Sequence, residues 1–458
     1  MPAERIELRR SLKLSHIVLM GIGYMTPMVV FDTFGIASEA TAGHVPTAYI
    51  LALVAMLLTA LSYKQMIQVY PTAGSAYTYT QKSINPHSGF LVGWAALMDY
   101  LFLPMVNALI FQIYLSSIFP VVPEWIWVAG FVIVVTFFNL MSINSTANFN
   151  TFLVILQGTI ILLFIGVAIK YLLSDGGVAQ AFSIQPFFEQ GLDSSLLIAG
   201  TTLMCFSYLG FDAVAMLAEE TPHPKKTIPK AIFLTALLGG LMFIVTSYFI
   251  QLLFPNPQNF TDLEASSPEI AASIGGAIFQ IIFIAGGIAG TLSSGIASHA
   301  SVSRLLYVMG RDKILPERIF GYVHPKLRTP ALNIIIVGIA SLSAIFFSLA
   351  TAASFINFGA LIAFTFVNLS VIAHYAFKNK QYTTLKGLFS YVIMPLLGAG
   401  AIFVLWLNLE KSSIILGATW LAFGLLYLIY LTRMFTRKIS TIEFNEMEEL
   451  EPTTLIKM

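Results

Sequence analysis

A helix of about 20 apolar residues is long enough to cross the hydrocarbon of a bilayer, so repeated runs of that length leave a chain few other folds. This sequence has twelve such runs, at 15–37, 45–69, 88–119, 124–142, 148–173, 195–218, 230–254, 270–300, 330–350, 353–376, 389–409 and 413–433. Of its 458 residues 57% are hydrophobic and only 10% are charged, against about 25% charged in soluble domains. That composition argues against a soluble enzyme, a nucleic-acid binder and a disordered chain. The one cysteine, Cys205, can form neither an intrachain disulfide nor a cysteine-built metal site. The polar, basic first 13 residues are not expected to be a cleavable signal peptide.

The basic residues predict the orientation. An even number of spans with the N-terminus inside puts 22 of the 24 Lys and Arg on the cytoplasmic side, leaving only Lys170 and Lys411 outside. The stretch 301–329 carries Arg304, Arg311, Asp312, Lys313, Glu317 and Arg318 and reads as a cytoplasmic loop with short amphipathic helical pieces. The tail 439–458 is acidic and has no expected role.

Runs one, three and eight contain Gly, Pro or polar interruptions. In run one, Gly21, Gly23 and Pro27 weaken the helix around residues 21–27. In run six, Ser207 and Asp212 flank Gly210, which predicts a second unwound stretch. Broken backbone at membrane depth survives only against protein or a water-filled cavity. Interruptions at corresponding positions of two halves point to a carrier's midplane site. Close helix packing is the plainer explanation of the glycines; two breaks five spans apart weigh against it.

Three acids lie inside spans, Asp32, Asp99 and Asp212, and no Lys or Arg lies deep in any span. A charge at membrane depth costs about 2.5–3.5 kcal/mol or more, so each acid is a candidate functional residue. Without basic partners they are either protonated or visited by a cation. The outer loops carry Glu124, Asp175, Glu189, Asp193, Asp262, Glu264 and Glu269 against two lysines, which adds weak support for a vestibule that attracts cations. Tyr100, Phe206, Tyr208 and Phe211 flank the suspected site, and an ammonium over such a ring gains about 0.5–2 kcal/mol. His299 reads as a polar packing residue.

Several stretches together carry a resemblance. They are 21–35 (GIGYMTPMVVFDTFG), 73–94 (AGSAYTYTQKSINPHSGFLVGW), 99–105 (DYLFLPM), 205–214 (CFSYLGFDAV), 219–236 (EETPHPKKTIPKAIFLTA), 299–333 and 356–369. With them the chain resembles the amino acid–polyamine–organocation (APC) carriers, and among these the bacterial putrescine importers. The resemblance implies an all-α integral membrane protein of about 12 transmembrane helices. Its LeuT-type fold would hold two inverted five-helix repeats, 15–173 and 174–376, then two more helices at 377–438, with 1–14 as the cytoplasmic N-terminus. It also implies alternating access around spans one, three, six, eight and ten. By resemblance Phe206 looks like the aromatic gate of span six, Asp212 like the acid six positions on, Tyr100 like the substrate-contacting tyrosine of span three, and 294–298 like the lining of span eight. Two departures matter. Where many relatives have a second glycine cluster that cradles a substrate carboxylate, this chain has Pro27, Met28, Val29, Val30 and Phe31. Where some proton-coupled relatives have a lysine in span five, it has Gln157.

The sequence is therefore read as a secondary active transporter that imports a small organic cation, putrescine by preference. The expected substrate-binding residues are Gly23, Tyr24, Met25, Thr26, Asp99, Tyr100, Phe206, Ser207, Tyr208, Asp212 and Ser298, with Asp32, Asp99 and Asp212 as proton-coupling candidates. No catalytic residue, metal or cofactor is expected. The partners would be an amine or amino acid, protons and lipid, with no nucleic acid and the oligomeric state left open. A proton-coupled amino acid permease, an amine/amino acid exchanger and a channel are the alternatives.

Overall fold

The computed structural model describes residues 10–141, 143–175, 182–188, 193–260, 263, 266–347, 349–409 and 411–432. The tail 439–458 and the outer acids Glu189, Asp262 and Glu264 lie outside the described residues. Among those described, nine helices are long and apolar enough to cross a membrane. A tenth span is the bent pair Leu14–Met25 and Val29–Ala40, and two shorter apolar helices, Glu124–Leu140 and Ala331–Phe346, stand where spans four and nine are expected. All twelve expected spans thus coincide with helices, and the protein is a multi-pass, all-helical membrane protein.

Packing follows the order of the spans in fives. Span two, Val45–Val69, runs along span seven, Pro224–Leu253, and span three, Pro86–Ile118, runs along span eight. The first half of span one packs on span seven, and the first half of span six, Ser194–Met204, packs on span two. Span three is the most enclosed, whereas spans eleven and twelve are peripheral, with 22% and 17% of their apolar windows buried. Span twelve docks through small residues. Gly424 admits the ring of Trp94, and the indoles of Trp94 and Trp420 each donate to the other's backbone carbonyl, at 2.9 and 2.7 Å.

The interruptions take different forms. Span three contains Pro104 yet stays one helix. Span one bends by 43° between Met25 and Val29, with Thr26 at φ 52°, ψ 90°. Span six loses its α-helical geometry altogether. A single 3₁₀ turn, Cys205–Tyr208, leads to Leu209 in an extended conformation and Gly210 at φ 119°, and Ala213–Glu220 continues as 3₁₀ helix. Span eight is preceded by a short helical piece, because Gly276 (φ 64°, ψ −166°) interrupts the series Ser266–Arg311.

At its other end span eight runs on to Arg311, into the stretch expected to be a loop. The side chains of the polar residues there bond back to the preceding turn of the helix. Ser301 donates to Ala297 O, Ser303 to His299 O and Arg304 to Ala300 O. The only helix after Arg311 within 312–329 is the one-turn piece Glu317–Phe320.

The end of the bundle that carries Lys82, Lys225 and Arg311, here termed the basic end, is closed by ion pairs. Arg304 pairs with Glu220, both buried, and Arg311 pairs with Glu219 at 2.7 Å. The backbone carbonyl of Glu220 accepts from the amides of Ser11 and Leu12, which ties the chain entering span one to the end of span six. Just beyond the span, Asp312 accepts from Tyr77 Oη at 2.7 Å. Burial pushes the Asp312 carboxyl up from its ordinary range, while Arg311 and Tyr77 pull it back.

Breaking a buried pair leaves an uncompensated charge at a cost of about 3–5 kcal/mol, whereas replacing both partners by apolar groups is often neutral. Arg304→Met is therefore expected to lower the melting temperature of the detergent-purified protein markedly. The double variant Arg304→Met/Glu220→Leu is expected to regain most of the loss.

Candidate functional site

The two broken spans meet around a small cavity. Span one contributes Tyr24, Met25, Thr26, Val29 and Asp32; span six contributes Phe206, Ser207 and Leu209. Span three presents Leu103, Val106, Asn107 and Ile110, and span eight presents Thr291 and Ser294. Among the described residues, no Lys, Arg or His lines it. Its one carboxylate is Asp32.

The breaks are fixed by close contacts of backbone with side chain. Gly23 faces Asn150 of span five and Ser293 of span eight, where a Cβ would lie 2.6 Å from Asn150 Nδ2 and 2.4 Å from Ser293 Oγ. Ser294 donates to Tyr24 O at 2.8 Å and accepts from Asn107 Nδ2 at 2.9 Å. This chain of contacts joins spans one, three and eight at the cavity floor. Gly210 supports the ring of Tyr24, since a Cβ there would lie 2.1 Å from Tyr24 Cδ1. Ser207 shares a hydrogen bond of 3.2 Å with Tyr49 Oη, and Tyr208 donates to Tyr49 O at 2.8 Å.

After the break, span one restarts with its backbone occupied. Val29 N donates to Thr26 O at 2.9 Å and Phe31 N to Met28 O at 3.0 Å. These amides are already satisfied, and Val29 lines the cavity. Asp32 follows one turn later, partly exposed to the cavity, and its carboxylate accepts a hydrogen bond from Tyr114 Oη.

The other two intramembrane acids lie elsewhere. Span one enters from the basic end, so Asp32, beyond the break, is on the far side of it. Asp99 precedes the cavity-lining stretch of span three, which also starts at the basic end, and Asp212 follows the break of span six, which starts at the far end. Both therefore sit on the basic side. Neither lines the cavity. Tyr100 donates to Asp212 Oδ2 at 2.6 Å, and Gly210 N donates to Asp212 Oδ1 at 3.3 Å. Tyr24, Tyr63 and Tyr100 surround the pair. Gly359 of span ten brings its backbone against Asp99, 3.1 Å from a Cβ built there to Asp99 Cβ. Asp99 Oδ1 and the hydroxyls of Tyr24 and Tyr79 are buried without a hydrogen-bond partner among the described residues.

Of the residues expected in the site, Tyr24, Met25, Thr26, Phe206, Ser207 and Asp32 share the cavity wall. Gly23 lies behind it. Asp99, Tyr100 and Asp212 form the separate acidic cluster beneath Tyr24. Tyr208 packs away against Tyr49, and Ser298 is buried with its hydroxyl donating to Ser294 O at 2.7 Å. His299 is buried and engaged with Ile334 O at 2.8 Å.

Of the face of span three only Tyr100 was expected. Leu103, Asn107, Ile110 and Tyr114 follow it at three- and four-residue intervals, which puts them on the same helix face. Asn107, a polar residue in the middle of a membrane helix, was the signal that could have found it.

Comparison with known proteins agrees with this architecture. The model of a family described as amino acid permease matches residues 16–443. The chain belongs to the amino acid permease family. PlaP of Escherichia coli, a low-affinity putrescine importer, is 49% identical over 439 residues, 96% of this chain and 97% of that protein. BcaP of Bacillus subtilis, a branched-chain amino acid permease, is 27% identical over 450 residues, covering 92% of this chain and 93% of its own. A methylthioribose transporter of the same organism is 27% identical over 441 residues, 91% and 90% of the two chains. These relatives are carriers, so this permease is a transporter and its cavity is the candidate substrate site.

The position of Tyr24 depends on Gly210. Gly210→Ala adds a Cβ to a left-handed residue and drives it into the Tyr24 ring. The backbone strain alone costs about 1–3 kcal/mol. The variant is expected to melt several degrees lower in detergent, and Gly210→Ala/Tyr24→Ala to recover only the steric part.

Proposed function

We propose that this permease imports a small organic cation, putrescine in the first place, across the bacterial cytoplasmic membrane by alternating access. The reading rests above all on one observation. The cavity between the broken helices holds a carboxylate, Asp32, and no basic residue lines it among those described. The identity with the Escherichia coli putrescine importer supports the same substrate class.

In this reading one ammonium group pairs with Asp32. The other takes hydrogen-bond acceptors at the far end of the cavity, Tyr24 O and the oxygens of Asn107 and Ser207. Val29, Leu103, Val106, Ile110 and Phe206 cover the methylene chain. An amino acid fits less well, because its carboxylate would meet Asp32 and find the amides of Val29 and Phe31 already bonded. Discrimination is then achieved by repulsion as much as by attraction.

The basic end faces the cytoplasm in this assignment, as the distribution of Lys and Arg favours. The cavity then opens toward the outside of the break, and the ion pairs of Arg304 and Arg311 lie at the inner end. Asp99 and Asp212, with their tyrosines, are the candidates for holding a proton on the inner side of Tyr24. Accumulation is driven by the membrane potential, by a proton gradient or by both.

The experiment is uptake of labelled putrescine into proteoliposomes, with and without a pH gradient. Saturable uptake is expected, with cadaverine competing better than ornithine or leucine. The reverse order overturns the diamine assignment in favour of an amino acid permease. Losing one partner of a desolvated charge pair costs about 2–5 kcal/mol, so Asp32→Asn is expected to raise KM on the order of 30-fold or more. An unchanged KM removes Asp32 from the site.

A further inference from the structure

Asp32 is the junction of three elements. Tyr114 of span three donates to its Oδ1, and Ser267, in the short helical piece before span eight, lies near the carboxylate. Tyr114 does not line the cavity. Its ring lies against Gly287 of span eight, where a Cβ would come within 2.9 Å of Cε2 and Cζ. Any larger residue at 287 would push the phenol away from Asp32. Tyr114 itself is nearly fully buried, so its hydroxyl has little freedom to turn elsewhere.

We propose that Tyr114 is a positioning residue for cation recognition: it fixes the Asp32 carboxylate at the cavity wall while leaving its charge intact. The proposal rests on the reading of Asp32 as the ammonium partner. The chemistry of the donor is what matters. A Lys or Arg at this place would hold the carboxylate equally firmly but neutralise it, and an arriving ammonium would then face a cation. An apolar residue would leave the carboxylate free to swing. A phenol donates one neutral hydrogen bond, occupies one oxygen and leaves Oδ2 to the substrate. Gly287 completes the arrangement by making room for the ring. Held by a neighbouring element, the carboxylate does not have to be ordered when the substrate binds, and that saving appears as affinity.

Tyr114→Phe keeps the ring against Gly287 and removes only the hydroxyl. Losing a hydrogen bond to a charged group predicts a rise in KM for putrescine on the order of tenfold. Vmax is expected to stay within about twofold, because the hydroxyl acts on recognition alone. Since Tyr114 acts through Asp32, Tyr114→Phe should add nothing to KM in an Asp32→Asn background. A purely structural role would instead lower Vmax and melting temperature in both backgrounds alike. An unchanged KM in Tyr114→Phe, or effects that multiply independently in the double variant, overturns the proposal. Should Tyr114→Phe fail to reach the membrane, Gly287→Ala displaces the ring and is expected to give the same split between KM and Vmax; a normal KM there overturns the proposal as well. Wild-type uptake is measured first. Absence of saturable diamine uptake by the wild type overturns the functional reading itself, and is thereby distinguished from failure of the positioning role alone.

Discussion

Every backbone amide and carbonyl at membrane depth needs a partner, and the structure is organised around the two places where the helix does not provide one. In spans one and six the ladder stops. The freed groups are met by Ser294, by Gly210 N on Asp212, and by short-range bonds such as Val29 N to Thr26 O. That requirement decides which helices must be adjacent. Spans three, five and eight surround the breaks because their Asn107, Asn150, Ser293 and Ser294 stabilise them. The peripheral spans eleven and twelve need no such residues and dock through glycines and stacked indoles instead.

The same requirement separates two kinds of acid. Asp32 borders empty space and is held by a neutral donor, Tyr114. Asp99 and Asp212 sit in a closed nest of tyrosines, with one carboxylate oxygen left unpartnered among the described residues. The ring of Tyr24, seated on Gly210, divides the two regions. The cavity presents a single carboxylate, Asp32.

Much of this was legible in the sequence. The spans followed from hydropathy, because in hydrocarbon an apolar run of sufficient length has no competing fold. The breaks followed from Pro27 and Gly210, since these residues alter the backbone locally. The boundary of span eight did not follow. Ser301, Ser303 and Arg304 look like loop residues, but Glu220 gives Arg304 a buried partner and the two serines satisfy their hydroxyls on the preceding turn. Nor did the sequence rank the three acids. Periodicity places a residue on a face of a helix; it does not tell whether the opposite helix leaves a gap there. Asp32 borders a cavity that Val106 and Ile110 of span three also line, whereas Asp99 is closed over where Gly359 lets the backbone of span ten approach it. Both are tertiary facts.

The placement of charge also bears on how transport is driven. A group that carries charge across the membrane gains about 2.3 kcal/mol per charge per 100 mV, so a dication moving inward gains about twice that. This exceeds the roughly 4 kcal/mol that a thousandfold concentration ratio requires. For a carrier of diamines the potential alone therefore suffices for strong accumulation, and a proton is not needed as fuel. Protons held at Asp99 and Asp212 would serve a different end. A closed carboxylate pair with no basic neighbour returns to the resting state most readily when it carries a proton instead of a bare charge, because moving an unscreened anion through hydrocarbon is costly. In the proposed reading Asp32 is the candidate for selecting the substrate and the buried pair the candidate for holding a proton, with the ring of Tyr24 between them.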